Sequence, residues 1–111
     1  MLPRYKRLAR TTLKELKDLP HVGVYVIAYM GKVLYVGKAS ESVDGRLNNH
    51  LYKRDTDDIG GWMFKVQDDW HNVRLDVLEP PDEVDQRKWL MEVEGALVRE
   101  FEPLFNTCLQ A

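Results

Sequence analysis

The 111-residue sequence contains a single cysteine, Cys108. One thiol excludes a disulfide within the chain and any zinc site built on cysteine pairs. Histidine is scarce too: His21, His50 and His71 lie 29 and 21 positions apart, far from the spacing of a histidine metal motif. No apolar run approaches the roughly 20 residues that a membrane span needs. The N-terminus is basic but lacks the apolar core of a secretory signal, and Glu15 and Asp18 oppose an organellar presequence. No glycine loop precedes a lysine and a serine or threonine, so phosphate-loop nucleotide chemistry is not expected, and no serine or cysteine triad stands out. These absences point to a soluble, cytoplasmic protein.

What is present suits one globular domain. A chain of this length buries roughly two thirds of its unfolded surface, enough for one core without covalent staples. The net charge is −2, but its distribution matters more than its sum. Arg4, Lys6, Arg7, Arg10, Lys14 and Lys17 oppose Glu15 alone over positions 4 to 17, a local balance of +5. Acid collects at Asp55, Asp57 and Asp58, at Asp68 and Asp69, and between Glu79 and Asp85. A basic arm on an acidic body fits phosphate contact, and it fits a solvated helix face equally well.

Patterning divides the chain into a basic N-terminal helical segment, 1–20, and a main body, 21–111. Tyr5, Leu8, Ala9, Leu13 and Leu16 recur at helical spacing, and Thr12-Leu13-Lys14-Glu15 has the form of a capping box. From Val22 to Tyr29 the β-branched and aromatic residues predict a strand, with Val33 to Val36 returning beside it around Gly31-Lys32. Helix is expected from Val43 to Lys53, with Leu47 and Leu51 inward and Arg46 and His50 neighbours on one side. Asp55 to Gly61 reads as a loop, and Trp62 to Gln67 and Asn72 to Leu78 as two further strands. After Pro80-Pro81 the longest helix runs from about Asp82 to Phe101, with Trp89, Leu90, Val93, Ala96, Leu97 and Phe101 forming one stripe. The expected class is α/β of the α+β kind: a small, mostly antiparallel sheet flanked by helices.

Two triads carry the most information. Gly23-Val24-Tyr25 and Tyr35-Val36-Gly37 place their tyrosines ten positions apart on the two arms of the hairpin. Arg46, His50, Glu94 and Asn106 follow in order, with Glu94 twelve positions before Asn106. This constellation resembles the GIY-YIG nuclease family, over positions 22 to 106. Valine replaces the usual isoleucine in both triads, and Arg46 lies eleven positions after Tyr35, one more than in several relatives.

The resemblance implies a metal-dependent endonuclease that hydrolyses DNA and leaves 5′-phosphate and 3′-hydroxyl ends. Glu94 would hold one Mg2+ or Mn2+ ion, whereas Glu92, two residues away on the helix, points elsewhere. Arg46 would contact the scissile phosphate, as a fixed cation suited to its geometry. Tyr25 or His50 would activate water, and Tyr35 would orient water or phosphate. Gly37 would let backbone approach the substrate, Lys38 matches a lysine common after that glycine, and Asn106 would tie the tail to the active-site loops. The basic residues Arg4, Lys6, Arg7, Arg10 and Lys14 are the candidate DNA contacts. The partner would be duplex or branched DNA, engaged by a monomer or weak dimer. Shape, or a second targeting protein, would guide it, since no zinc finger or helix-turn-helix is evident. The alternative is a catalytically silent module that uses the same fold for nucleic-acid or protein docking.

Overall fold

Val24, Tyr25, Val26 and Ile27 are apolar without alternation, the pattern of a strand covered on both faces. They occupy β2, Gly23–Tyr29, an inner strand of a four-stranded sheet. The computed structural model describes residues 3–106, so Cys108 lies outside the described residues. The sheet comprises β1 (Arg7–Thr12), β2, β3 (Lys32–Ala39) and β4 (Val73–Glu79), in the order β1-β4-β2-β3 with every neighbouring pair antiparallel.

The β2–β3 hairpin turns at Met30-Gly31, one position earlier than the sequence suggests. Both residues carry positive φ, 52° and 79°, as a type I′ turn requires. Leu34 is an extra residue: Ile27 pairs with Tyr35, and Ala28 pairs with Val33. This bulge changes the parity of β3, so Val33 packs on one face of the sheet while Tyr35 packs on the other.

Helix α1, Val43–Tyr52, and helix α2, Asp58–Lys65, cover the face that carries Tyr25, Ile27, Tyr35, Leu75 and Val77. Helix α3, Gln86–Phe101, covers the opposite face, where Trp89, Leu90, Val93 and Leu97 meet Val24, Val26, Val36 and Leu78. Ala96 and Phe101, expected in the α3 stripe, are exposed. Each helix has an N-cap side chain that accepts from a backbone N–H: Ser42 from Gly45, Asp57 from Gly60, and Asp85 from Lys88.

Two expectations are overturned. The basic N-terminal segment is not a helix; residues 7–12 form the edge strand β1, paired with β4 from Arg7↔Glu79 to Thr12↔Arg74. That strand pairs with six residues of β4, bonding the backbone groups that alternate along its open edge, and buries Ala9 and Leu13, which a short isolated helix could not do. The Thr12 box survives only as a turn, with Glu15 N–H on Thr12 Oγ1 at 3.2 Å. Among the described residues, 3–20 are thus no separate segment, because β1 belongs to the one sheet. Trp62 to Gln67 is likewise no strand. Ile59 and Met63, four apart and buried, define α2 across the stretch that reads as loop and strand, and a 3-10 turn follows over Gln67–Asn72.

Candidate active site

Three elements deliver side chains to the outer edge of β3. Tyr35 comes from β3, Arg46 from the first turn of α1, and Glu94 from the middle of α3. With Lys38, Ser40, Gln86, Arg87 and Leu90 they line one cleft of about 760 Å3. An edge strand permits this convergence, since groups from helices on opposite faces can reach round it. Asn106 holds that edge in place. Its amide accepts from Val36 N–H at 2.8 Å and donates to Val36 C=O at 2.9 Å, from a position only 1% exposed. The asparagine therefore ties the C-terminal segment to strand β3 itself, at the middle residue of the Tyr35-Val36-Gly37 triad.

Glu94 Oε1 stands 3.1 Å from Lys38 Nζ, with the carboxylate about one quarter exposed to the cleft. Glu92 faces away, 4.0 Å from Lys88 on the solvent side of α3. Among the described residues, no three His, Cys, Asp or Glu side chains gather into a metal-binding group. The one cleft carboxylate, Glu94, could hold a hard ion such as Mg2+, whose remaining ligands would be other oxygen donors. This donor set does not fit zinc, which takes three or four protein ligands.

Behind the cleft lies a hydrogen-bonded chain. Tyr25 is fully buried and its ring crosses Gly37 on the neighbouring strand. A methyl group at Gly37 would stand 2.5 Å from the Tyr25 oxygen and 2.8 Å from the Tyr35 ring. The missing side chain thus makes room for the two phenols. The Tyr25 oxygen lies 2.9 Å from His50 Nε2, and His50 Nδ1 lies 2.6 Å from Asp57 Oδ2. The Tyr35 and His50 rings meet edge-on, with centroids 5.2 Å apart.

Burial raises the Tyr25 phenol well above its ordinary pKa of 10, and Tyr35 pushes in the same direction. The Arg46 guanidinium beside it acts oppositely, favouring the phenolate. A second phenol, Tyr29, donates to Asp69 and pins the 3-10 turn to β2. That bond raises Tyr29 and lowers Asp69 from their usual values.

Tyr25, Tyr35, Arg46, His50, Lys38, Gly37, Glu94 and Asn106 thus all lie at or around the β3 edge. The N-terminal cations do not. Strand β1 lies at the other edge of the sheet, three strand spacings or roughly 14 Å from β3. Lys6 pairs with Asp82 at 3.0 Å and Arg7 with Glu79 at 3.4 Å. Arg10, Lys14 and Arg4 remain on the exposed surface. Sequence reasoning missed Asp57, Ser40 and Arg87. Asp57 sits in an acidic run that reads as solvated loop, and its only signal was its place two residues before Ile59, the first of the Ile59–Met63 pair. Comparison with protein-family models, with curated proteins and with solved structures gave no match to this chain.

Proposed function

We propose that the protein is a divalent-metal-dependent endonuclease of the GIY-YIG type, hydrolysing DNA phosphodiesters to 5′-phosphate and 3′-hydroxyl ends. The observation that supports it most is the meeting of Tyr35, Lys38, Arg46 and Glu94 in one cleft, from positions up to 59 apart in sequence. Docking alone requires neither a carboxylate beside the phosphate site nor a buried proton acceptor behind it.

In this reading the scissile phosphate enters between Arg46, Lys38 and Glu94. Arg46 is exposed and can extend toward the phosphoryl oxygens, where its charge would strengthen binding as negative charge builds. A divalent ion on Glu94 would supply Lewis-acid stabilisation of the phosphodiester oxygens and the departing one. Tyr35, on the cleft wall, orients the attacking water. Tyr25 is closed to solvent, and Arg46 lies beside its oxygen. Movement of Arg46 onto phosphate would therefore open the phenol to water only when substrate is present. The phenol resists ionisation, so it acts as a relay to His50 and not as a free phenolate. Product chemistry follows from in-line attack of water on phosphorus: the P–O3′ bond breaks and the phosphate stays on the 5′ side.

The small cleft and single sheet edge suit recognition by backbone shape, with targeting left to DNA structure or to a partner. Labelled duplex, single-stranded and branched DNA, incubated with Mg2+, Mn2+ or chelator, test the proposal. Metal-dependent cutting with 3′ ends that a polymerase extends is the expected result. Intact DNA under every condition, with binding retained, would favour the docking alternative.

A further inference from the structure

The Asp57–His50 pair is a close polar contact that the sequence reading leaves without a role. His50 is 4% exposed, and both its ring nitrogens have partners: Asp57 Oδ2 at 2.6 Å on Nδ1 and the Tyr25 oxygen at 2.9 Å on Nε2. A carboxylate can only accept, and a neutral imidazole carries one N–H. In the neutral ring the proton therefore lies on Nδ1, which leaves Nε2 as an acceptor and Tyr25 as its donor.

The carboxylate is itself fixed. Its other oxygen, Oδ1, accepts from Gly60 N–H at 3.1 Å as the N-cap of α2. Gly60 lies against the end of α1 so closely that a methyl group there would stand 2.6 Å from the His50 carbonyl carbon. Helix α2 can approach His50 this far because residue 60 has no side chain. The cap, the glycine and the histidine form one unit that aims a carboxylate at Nδ1.

We propose that Asp57 is a positioning residue of the active site: it holds His50 in the Nδ1–H tautomer, so that Nε2 can take the Tyr25 proton during water attack. The catalytic part of this inference rests on the endonuclease reading; the tautomer part does not. As the water oxygen bonds to phosphorus, its proton passes to the Tyr25 oxygen while the Tyr25 proton passes to Nε2. The phenol stays neutral and the imidazolium faces the Asp57 carboxylate, a neutralised pair. The O3′ oxyanion takes a proton from solvent. His50 returns its proton to solvent through the cavity of about 320 Å3 that it lines with Tyr35, Arg46, Lys53 and Thr56.

Asp57→Asn separates this role from the cap. The amide oxygen can keep the Gly60 bond, which turns the NH2 toward Nδ1 and drives the ring proton to Nε2, where it can no longer accept from Tyr25. Long-range 1H–15N correlation on the full chain reads the tautomer directly, and Asp57→Ala with a thermal midpoint reports loss of the cap. The expected result is Nδ1–H in wild type and Nε2–H in Asp57→Asn. Turnover should fall by roughly 10⁴-fold, with DNA affinity within about twofold, the pattern of a mis-set histidine. Nε2–H in wild type, or an unchanged tautomer in Asp57→Asn, would overturn the proposal, as would a flipped tautomer with full turnover. If wild type cuts no DNA, the nuclease reading fails alone while the tautomer measurement still decides what Asp57 does.

Discussion

Lys38 holds its ammonium 3.1 Å from Glu94 Oε1, so the carboxylate proposed to bind metal is already neutralised by a neighbour on β3. The lysine is about half exposed, and in the proposed function it would swing onto the phosphate of bound DNA. Before then it competes with any cation. Lys38→Met should therefore tighten Mn2+ binding to the DNA-free protein. A partly exposed pair of this kind is worth up to about 1 kcal/mol, hence about fivefold in affinity. Electron paramagnetic resonance titration of free Mn2+ measures it. Weaker binding in the variant would mean that Lys38 does not occupy the ion's place.

Gly37→Ala should damage the site from inside. The new methyl group meets the Tyr25 hydroxyl and the Tyr35 ring, and both phenols are buried. Overpacking of this sort costs about 1–3 kcal/mol, which urea unfolding would read as a lowered midpoint. Normal stability with both rings undisplaced would show that β3 can relax to accommodate a side chain.

The buried phenol gives stability a direction with pH. In the unfolded chain Tyr25 ionises near its ordinary value of 10, whereas burial holds its folded value higher. Between those values the unfolded state binds fewer protons, so stability falls as pH rises. Urea midpoints should decline from pH 9 to 11 in wild type and decline less in Tyr25→Phe. Equal slopes would mean that the folded phenol ionises as freely as the unfolded one.

Asn106→Ala should unfasten the β3 edge. It leaves the Val36 N–H and C=O without their side-chain partners, at a cost of about 1–3 kcal/mol. Hydrogen exchange at the Val36 amide should accelerate more than at Val26 on the inner strand. Uniform acceleration across both strands would assign the asparagine a global role instead.

Much of this arrangement can be read from the residues. The runs from Val22 to Tyr29 and from Val33 to Val36 specify the hairpin, because β-branched residues and Gly31 leave few alternatives. Ser42 marks the start of α1, and the Trp89–Leu90–Val93–Leu97 stripe marks α3, by the 3.6-residue period that the structure buries. What could not be read depends on tertiary contact. Tyr5 to Leu16 has helical spacing, yet β4 offers an open edge that draws residues 7–12 into the sheet. Gly60 and Gly61 weaken helix propensity by about 1 kcal/mol each, so α2 reads as loop until the His50 backbone is in place to need the gap. Asp57 is legible only once α1 and α2 are packed. The Leu34 bulge, which separates Val33 from Tyr35, has no signal in an apolar run.

The same strand alters what the basic residues are expected to do. Deleting residues 1–17 would remove an edge of the sheet, so point substitutions are the informative test. Lys6→Ala and Arg7→Ala remove cations already paired with Asp82 and Glu79, and should leave the salt dependence of DNA binding nearly unchanged. Arg46→Ala, in the cleft, should reduce the slope by about one unit. The reverse ranking would move the phosphate path to the β1 edge.

Single-turnover cleavage of the preferred DNA by wild type and Glu94→Ala, with binding measured in the same Mg2+ buffer, tests the central claim most directly. The variant should fold and bind DNA within about twofold, yet cut at least roughly 10²-fold more slowly, the scale of losing one charge-stabilising group. Equal cutting by Glu94→Ala, or cutting by wild type that persists in chelator, would contradict it.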